Sequence, residues 1–272
     1  MYDFYLGVDL GQANDYTAIA LAEEAVWVSP EAAPRLNLAA HGWHSPADLT
    51  PWQVEEARRW AGRYGRPDDP PLAVRHLERL PLGTSYVAVT DHVLRLYETP
   101  PLGGGRCALL VDATGVGRAV TDALVAAGLP VVAITITGGG GVTGGIAQGL
   151  HVAKRELIGA TQVALQARRL RVAAALPEAA TLARELAAMK VRVTAAANET
   201  FDVWRSGVHD DLALAVAMIA WFRGWYCEHL DWQTRAAQRR TADDEPDPIP
   251  RDAAAMHRSA LIHAAQHRTQ GV

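Results

Sequence analysis

Residues 4–11 read Phe-Tyr-Leu-Gly-Val-Asp-Leu-Gly, an apolar run that is interrupted by one carboxylate, Asp9. A run without alternation is typical of a strand that is buried on both faces, and Gly11 ends it. An ionised carboxylate at a buried position is costly unless a cation accompanies it. We therefore single out Asp9 as a candidate metal ligand. Pairing with a buried Lys or Arg is the alternative.

The segments that follow predict a mixed α/β fold. Residues 16–28 are rich in β-forming side chains after a turn signal, which predicts an antiparallel hairpin with the first strand. Residues 73–80 alternate apolar and polar side chains, as a half-buried strand does. Residues 107–112 and 131–136 are apolar runs on either side of a helical stretch, and such a βαβ unit pairs its strands in parallel. Helices are also expected over residues 51–64, 84–97, 153–168, 177–189 and 210–226, with short strands at 170–172 and within 190–206, including 201–204.

The chain divides by composition. Residues 29–71 contain seven prolines and are expected to form a surface insertion within one domain that spans residues 1–226. Residues 227–272 are a polar tail that we expect to be partly disordered, since it includes an acidic, proline-rich linker. Residues 138–145 contain six glycines and are interpreted as a flexible loop.

Further carboxylates stand at the ends of predicted elements. Asp112 ends the strand 107–112, and Asp210 and Asp211 begin the most apolar helix. Parallel central strands would bring Asp9 and Asp112 to neighbouring carboxyl ends, where open sheets place their sites. The alternatives are that Asp112 caps the next helix and that the Asp pair interacts only with its own helix dipole.

Clustered carboxylate oxygens suit Mg²⁺ or Mn²⁺. Two such ions about 4 Å apart can activate water and stabilise the leaving oxygen of a phosphodiester. The sequence therefore predicts a two-ion site in which Asp9, Asp112, Asp210 and Asp211 are catalytic and metal-binding residues.

Five stretches carry a family resemblance. They are residues 7–11 (Gly-Val-Asp-Leu-Gly) with 15–18 (Asp-Tyr-Thr-Ala), 75–84, 110–112 (Leu-Val-Asp), 154–157 (Lys-Arg-Glu-Leu) and 207–215 (Gly-Val-His-Asp-Asp-Leu-Ala-Leu-Ala). In these the chain resembles the ribonuclease-H-like nucleases and, more narrowly, the nuclease domain of the phage large terminase subunit, over about residues 4–226. The His-Asp-Asp-Leu piece is the most specific.

The resemblance implies a fold and an activity. The fold is a mixed sheet, with three antiparallel strands and then two parallel ones, flanked by helices. The activity is a Mg²⁺- or Mn²⁺-dependent endonuclease that cuts double-stranded DNA during genome packaging, with Asp9, Asp112 and one of Asp210 and Asp211 as ligands. Asp211 is favoured, because its Asp-Leu-Ala-Leu context is similar to the Asp-small-Leu step of junction resolvases, but the sequence does not separate the pair.

One part of a full terminase subunit has no counterpart in this sequence. The chain contains no Gly-x-x-x-x-Gly-Lys-[Ser/Thr] phosphate loop, and residues 138–145 lack the lysine. We therefore expect a split terminase, a relative with a separate ATPase motor, or an excised domain. Its expected partners are double-stranded DNA, that motor, and a portal or small terminase subunit.

Charge is segregated along the chain. The whole sequence of 272 residues has a formal charge of -4, yet residues 151–192 carry a net +5 and residues 1–50 a net -6. A basic segment can follow a phosphate backbone next to an acidic metal centre, although a solvated helix face is the alternative. The candidate DNA-binding residues are Lys154, Arg155, Arg168, Arg169 and Arg171. The glycine segment either gates the DNA path or is a simple surface loop.

His209 precedes the Asp pair and is a possible auxiliary residue, as a weak extra ligand or a proton carrier. A structural hydrogen-bonding role is the alternative. The sequence also leaves open other functions: a Holliday-junction resolvase, an actin-like ATPase or kinase-fold fragment with phosphate turns at residues 7–11 and 112–115, and a non-catalytic assembly protein.

Composition excludes several classes of protein. Two cysteines exclude a disulfide scaffold and a cysteine-rich zinc module. No apolar run reaches the roughly 18 residues of a membrane span, and the first residues lack the layout of a signal peptide. A cytoplasmic location without membrane contact is therefore expected.

Overall fold

The computed structural model describes residues 2–11, 15–64, 69–103, 105–189, 192–193, 199–200 and 209–241. The described strands form one large sheet, which helices cover, and two short strand pairs. The strands are β1 Phe4–Asp9, β2 Ala18–Glu24, β3 Val26–Val28, β4 Gly42–His44, β5 Leu72–Arg79, β6 Cys107–Asp112, β7 Val131–Thr137, β8 Val142–Gly145, β9 Gly149–Ala153, β10 Leu170–Val172, β11 Arg192–Val193 and β12 Glu199–Thr200. The helices are α1 Ala32–Arg35, α2 Pro51–Tyr64, α3 Tyr86–Glu98, α4 Gly117–Ala126, α5 Lys154–Gln166, α6 Ala179–Ala188 and α7 Asp211–Thr241.

The large sheet has eight strands in the order β10-β5-β2-β1-β6-β7-β9-β8. Its centre confirms the predicted fold class, because β1, β2 and β5 are antiparallel neighbours while β6 and β7 run parallel to β1. This is the mixed, ribonuclease-H-like arrangement expected from the sequence. Three strands extend it: β10 pairs in parallel with β5, β9 pairs in parallel with β7, and β8 returns antiparallel to β9.

Two hydrophobic layers sandwich the sheet, and β1 contributes to both. Tyr5 packs in the layer of α5, α6 and α7, whereas Leu6 and Val8 pack in the layer of α3 and α4. Successive side chains of a strand point to opposite faces. This is why the first strand is apolar without alternation, and why Asp9 ends it in a buried position.

Residues 26–57 pack around a hydrophobic cluster of their own. The strands β3 and β4 pair, and α2 packs on β3. Helix α2 begins with a capping box, since the Thr50 hydroxyl accepts from the Gln53 backbone N–H at 3.2 Å and the Gln53 side chain accepts from the Thr50 N–H at 2.9 Å.

Two predicted elements differ from the structure. The final helix was expected to end near Tyr226, and this boundary is wrong, because α7 continues to Thr241. Residues 138–145 are not entirely loop, because Val142–Gly145 forms the edge strand β8. The predicted strand piece at 201–204 and the tail beyond residue 241 lie outside the described residues.

Within the described ranges, no helix combines the length and apolar character needed to cross a membrane.

Candidate metal centre

Asp9 and Asp112 meet at the carboxyl ends of two adjacent parallel strands. Val8 of β1 is in register with Val111 of β6, so the residues that follow are neighbours. Both are buried, with Asp9 7% and Asp112 9% exposed, and the two side chains share a hydrogen bond. Burial raises the pKa of Asp9 well above its ordinary value, and the negative charges of Asp112, Asp211 and Asp210 raise it further.

Thr114 holds one side of the Asp112 carboxyl. The Thr114 backbone N–H donates to Asp112 Oδ1 at 2.8 Å, and the Thr114 hydroxyl donates to the same oxygen at 2.5 Å. The bond to the N–H forms a turn, and α4 begins only at Gly117, so Asp112 does not cap that helix. Burial raises the pKa of Asp112 although both hydrogen bonds from Thr114 oppose the rise.

Helix α7 crosses β1 closely enough to bring its first residues to Asp9. A β-carbon on Gly7 would lie 2.4 Å from the Ala215 carbonyl oxygen, so only glycine permits this approach. Four residues earlier in the helix stands Asp211, and Asp210 precedes it. Both are buried, with Asp210 7% and Asp211 5% exposed. The structure thus brings together the four predicted carboxylates.

Asp210 has a cationic partner. The Lys154 ammonium lies 2.7 Å from Asp210 Oδ2. Lys154 is the first residue of α5 and follows β9, whose carboxyl end lies at the same edge of the sheet as those of β6 and β7. Lys154 also lowers the pKa of Asp112. Lys154 therefore lies at the acidic cluster, where it compensates one of the four carboxylates.

In the described segments of the chain, Asp211 has no lysine or arginine beside it of the kind that Asp210 has in Lys154. Its Oδ2 atom is buried and has no hydrogen-bond partner among the residues that the structure describes, although His209 Nδ1 lies 3.8 Å away. Burial raises the pKa of Asp211 to about 6; His209 opposes the rise, whereas Asp15 and Asp210 add to it. A buried carboxylate oxygen without a donor needs a partner, and a metal ion would be a suitable one.

Asp15 joins this part of the site, and sequence reasoning missed it as a site residue. His209 Nδ1 lies 3.2 Å from Asp15 Oδ1. One ligand atom each from Asp15, His209 and Asp211 lie within 4.8 Å of one another; among the described residues this is the group of three that meets that distance. Asp9, Asp112 and Asp211 do not converge so tightly. The carboxylates therefore form two adjacent groups, Asp9 with Asp112 and Asp211 with Asp15 and His209.

Glu185 is a further acid that was missed. It is 3% exposed on α6, and its Oε2 accepts from the Ala213 N–H at 2.9 Å, in the first turn of α7. Its Oε1 is buried and has no partner within the described part of the chain, and burial raises the pKa of Glu185 to about 7. The signal in the sequence was its spacing, three residues after Leu182 and four before Met189, which places it on the buried stripe of α6.

The donor set fits a divalent cation. Four buried carboxyls share one lysine, three of them have raised pKa values, and one buried oxygen has no donor. Burial is the main cause of these raised pKa values, and neighbouring carboxylates raise those of Asp9 and Asp211 further. A bound dication would favour the ionised form of all three carboxyls. Carboxylate oxygens with one imidazole suit Mg²⁺ or Mn²⁺, the ions that prefer hard oxygen ligands.

The predicted DNA-binding residues separate into two places. Arg155 follows Lys154 and reaches the glycine segment, where a β-carbon on Gly140 would lie 2.5 Å from its guanidinium. Arg168, Arg169 and Arg171 lie at the opposite end of the sheet. There Leu170 pairs with Leu72 at the start of β5, and the Leu72 N–H donates to the Arg169 carbonyl at 2.9 Å. The structure does not bring these three beside the acids.

Comparisons with known proteins give a likeness of fold. No protein-family model matches the chain, and no curated protein matches it. The chain is similar to two solved structures of the large terminase nuclease from thermophilic phage G20c. One matches at 16% identity and a TM-score of 0.45 over 79% of each chain. The other, which has bound magnesium, matches at 18% identity and a TM-score of 0.47 over 80% of this chain and 79% of that one.

Proposed function

We propose that this protein is a Mg²⁺- or Mn²⁺-dependent endonuclease that hydrolyses phosphodiester bonds of double-stranded DNA, as in phage genome packaging. The observation that carries the proposal is the convergence of Asp9, Asp112, Asp210 and Asp211, all buried, at one edge of the sheet. Holding so many carboxylates together in a protein interior is unfavourable without cations. The resemblance of the motifs to terminase nucleases supports the choice of DNA.

Asp9 and Asp112 would hold one ion, and Asp211 with Asp15 and His209 would hold the second. Asp210 is the weaker candidate, because Lys154 already compensates its charge at 2.7 Å. When bound, such ions lower the pKa of a water molecule and stabilise the negative charge that develops on the phosphate. This assignment favours Asp211 over its neighbour as the ligand, which the sequence alone did not decide.

The other residues of the site act on position and protons. Thr114 fixes Asp112 Oδ1 and leaves the second carboxyl oxygen available toward Asp9. Glu185 accepts from the Ala213 N–H and so holds the first turn of α7, which carries Asp211. The His209 side chain is 36% exposed. It would serve either as a ligand of the second ion or, where it is not bound, as a carrier that passes a proton to the leaving oxygen.

Cleavage of supercoiled plasmid tests the proposal. Purified protein is expected to nick or linearise plasmid with Mn²⁺ or Mg²⁺ and to stop when EDTA is added. Asp9→Asn should abolish cleavage, because it removes a ligand and keeps the side-chain shape. Asp122→Asn, on the exposed side of α4, is the matched control and should cut at the wild-type rate.

Two outcomes would contradict the assignment. Cleavage by Asp9→Asn at the wild-type rate would remove the metal site from the mechanism. Faster cleavage of a four-way junction than of linear duplex would reassign the substrate to branched DNA. The expected partners, a separate ATPase motor and a portal or small terminase subunit, are part of the packaging proposal, and co-purification with such a motor would test them.

A further inference from the structure

A second cavity lies at the end of the sheet opposite the acids. Its volume is about 390 Å³, and it is lined by Trp43, Asp69, Pro71 and the turn between α5 and β10, including Arg168, Arg169 and Arg171. Asp9 ends β1, whereas this cavity lies beyond the start of that strand, since Leu72 pairs with both Leu170 and Glu24. Six residues of strand separate the two ends by about 17 Å.

Among the described residues, most of the positive charge in this cavity has no acidic partner. Arg169 has Asp69 as a partner at 3.5 Å, and the Asp69 side chain is 58% exposed. Within the part of the chain that the structure describes, Arg168 and Arg171 have no ion-pair partner, and both are exposed. A neighbouring cavity beside α2 is different, because its arginines are paired: Arg58 with Asp3 at 2.7 Å and Arg59 with Glu56 at 2.8 Å.

Arg168 occupies a backbone conformation that favours glycine. Its φ is 54°, and it follows Ala167, the C-cap residue of α5. The Arg168 N–H donates to the Leu165 carbonyl and the Arg169 N–H to the Ala164 carbonyl, which together form a Schellman motif. Glycine usually occupies this position. An arginine at this position, close to the unpaired Arg171, indicates that the side chain of residue 168 has a role of its own, because the turn by itself would favour glycine.

The tryptophan that lines the cavity indicates which class of ligand the cavity suits. Trp43 lines it and is braced from the side by Trp27, with ring centroids 5.3 Å apart at 62°. Guanidinium groups match phosphate oxygens, and an indole offers a face on which a base can stack. The cavity volume is at the small end of ligand sites, which suits one nucleotide better than a length of acidic peptide.

We propose that Trp43, Arg168 and Arg171 form a second nucleic-acid site that binds an unpaired nucleotide of a DNA strand, with phosphate at the arginines and base at the indole. The choice of nucleic acid over another phosphate-bearing ligand rests in part on the proposed nuclease function. The site itself does not, because it shares no residue with the acidic cluster and lies at the other end of β1.

The test measures binding of a fluorescent oligothymidylate of about eight nucleotides by anisotropy, in EDTA, so that cleavage does not interfere. The variant is Arg168→Gly with Arg171→Gln, in which glycine suits the φ of residue 168. Arg95→Gln with Arg184→Gln removes the same charge from exposed positions on α3 and α6 and is the control. We expect about tenfold or greater loss of affinity in the first variant only, with the salt slope lowered by roughly 1.4 for two lost phosphate contacts.

An abasic oligonucleotide tests the stacking part without altering the protein. It should bind the wild-type protein about fivefold or more weakly than oligothymidylate. Equal binding of the two oligonucleotides, an unchanged affinity in Arg168→Gly with Arg171→Gln, or an equal loss in the control variant would each overturn the site. If polyglutamate displaces the fluorescent oligonucleotide at a lower concentration than unlabelled oligothymidylate does, the ligand of this cavity is an acidic peptide and not a nucleic acid.

Plasmid cleavage separates this proposal from the previous one. If Arg168→Gly with Arg171→Gln cuts plasmid but binds the oligonucleotide like wild type, the second site is wrong and the nuclease proposal stands. If the wild-type protein fails to cut plasmid, but the variant Arg168→Gly with Arg171→Gln binds the oligonucleotide more weakly than the wild-type protein does, the nuclease proposal is wrong and the second site stands.

Discussion

Gly7 and Ala215 approach so closely that position 7 has no room for a side chain. A β-carbon on residue 7 would lie 2.4 Å from the Ala215 oxygen and 3.1 Å from Ile219 Cγ1. Gly7→Ala should therefore push α7 away from β1 and move Asp211 relative to Asp9. We expect a loss of about 1–3 kcal/mol in the free energy of unfolding, measured by urea denaturation, together with weaker Mn²⁺ binding.

Gly159→Ala is the matched control for this substitution. Gly159 lies in α5, and a β-carbon there would meet nothing within 4 Å. Alanine should leave the stability unchanged or raise it by up to about 1 kcal/mol, because it restricts the unfolded chain. Equal stability of both alanine variants would show that α7 tolerates the displacement.

Asp210 and Asp211 should differ as metal ligands. Asp211→Asn removes the carboxylate whose Oδ2 is buried without a donor, so Mn²⁺ affinity measured by calorimetry should fall about a hundredfold. Asp210→Asn removes the partner of Lys154 and should reduce the affinity less, by about tenfold or below. A larger effect at Asp210 would transfer the ligand role to it.

The pH dependence of stability follows from the raised pKa values of Asp211, about 6, and Glu185, about 7. A carboxyl whose pKa is higher in the folded state stabilises the fold while it is protonated, and that contribution is lost as pH rises through the folded pKa. In EDTA the melting temperature should therefore fall between about pH 4.5 and pH 7 relative to that of Asp211→Asn with Glu185→Gln.

Divalent cations should remove part of this pH effect. Mn²⁺ binds ionised carboxylates, so its addition should raise the melting temperature more at pH 7.5 than at pH 5. Differential scanning fluorimetry with and without EDTA measures both curves. A wild-type stability that parallels the double variant over this pH range would contradict the raised pKa values.

The Glu24–Arg223 ion pair joins β2 to α7 at 2.6 Å, with Glu24 2% and Arg223 9% exposed. Glu24→Gln should cost about 3–5 kcal/mol in the free energy of unfolding, because it leaves a buried guanidinium without its counter-ion. Replacing both residues, as Glu24→Leu with Arg223→Met, should cost less than Glu24→Gln. The pair Arg59–Glu56 is the control, because the Arg59 side chain is 68% exposed. Glu56→Gln keeps an acceptor for the Trp60 N–H and should change stability by under about 1 kcal/mol.

The central strands and the positions of the acids could be predicted from the sequence, because a strand that is buried on both faces consists of consecutive apolar residues. Leu6 and Val8 face one layer and Tyr5 the other, which requires apolar residues at successive positions of β1. Strand β8 had no such signal. It includes Gly144, whose φ of 86° and close approach to Gly149 suit glycine, and glycine has low strand propensity. It forms because β9 offers it a pairing edge.

The rest of the site depends on contacts that are remote in sequence. Asp15 and His209 are 194 residues apart, and neither stands at the end of a buried strand. The basic segment illustrates the same limit. Lys154 and Arg171 share a charge-rich stretch, yet α5 carries the chain from one end of the sheet to the other between them. The net charge of a sequence segment therefore could not predict that its basic residues lie at opposite ends of the sheet.

Helix α7 continues well past the sheet that it covers. Asp211 begins it beside Asp9, and Tyr226 packs on Tyr2 at the start of the domain, with 15 residues of helix still to follow. At 1.5 Å per residue these extend about 22 Å beyond the strand ends. Because Tyr2 lies before the start of β1 and Asp9 at its end, a molecule that contacts the last turns of α7 would lie at the end of the sheet away from the acidic cluster.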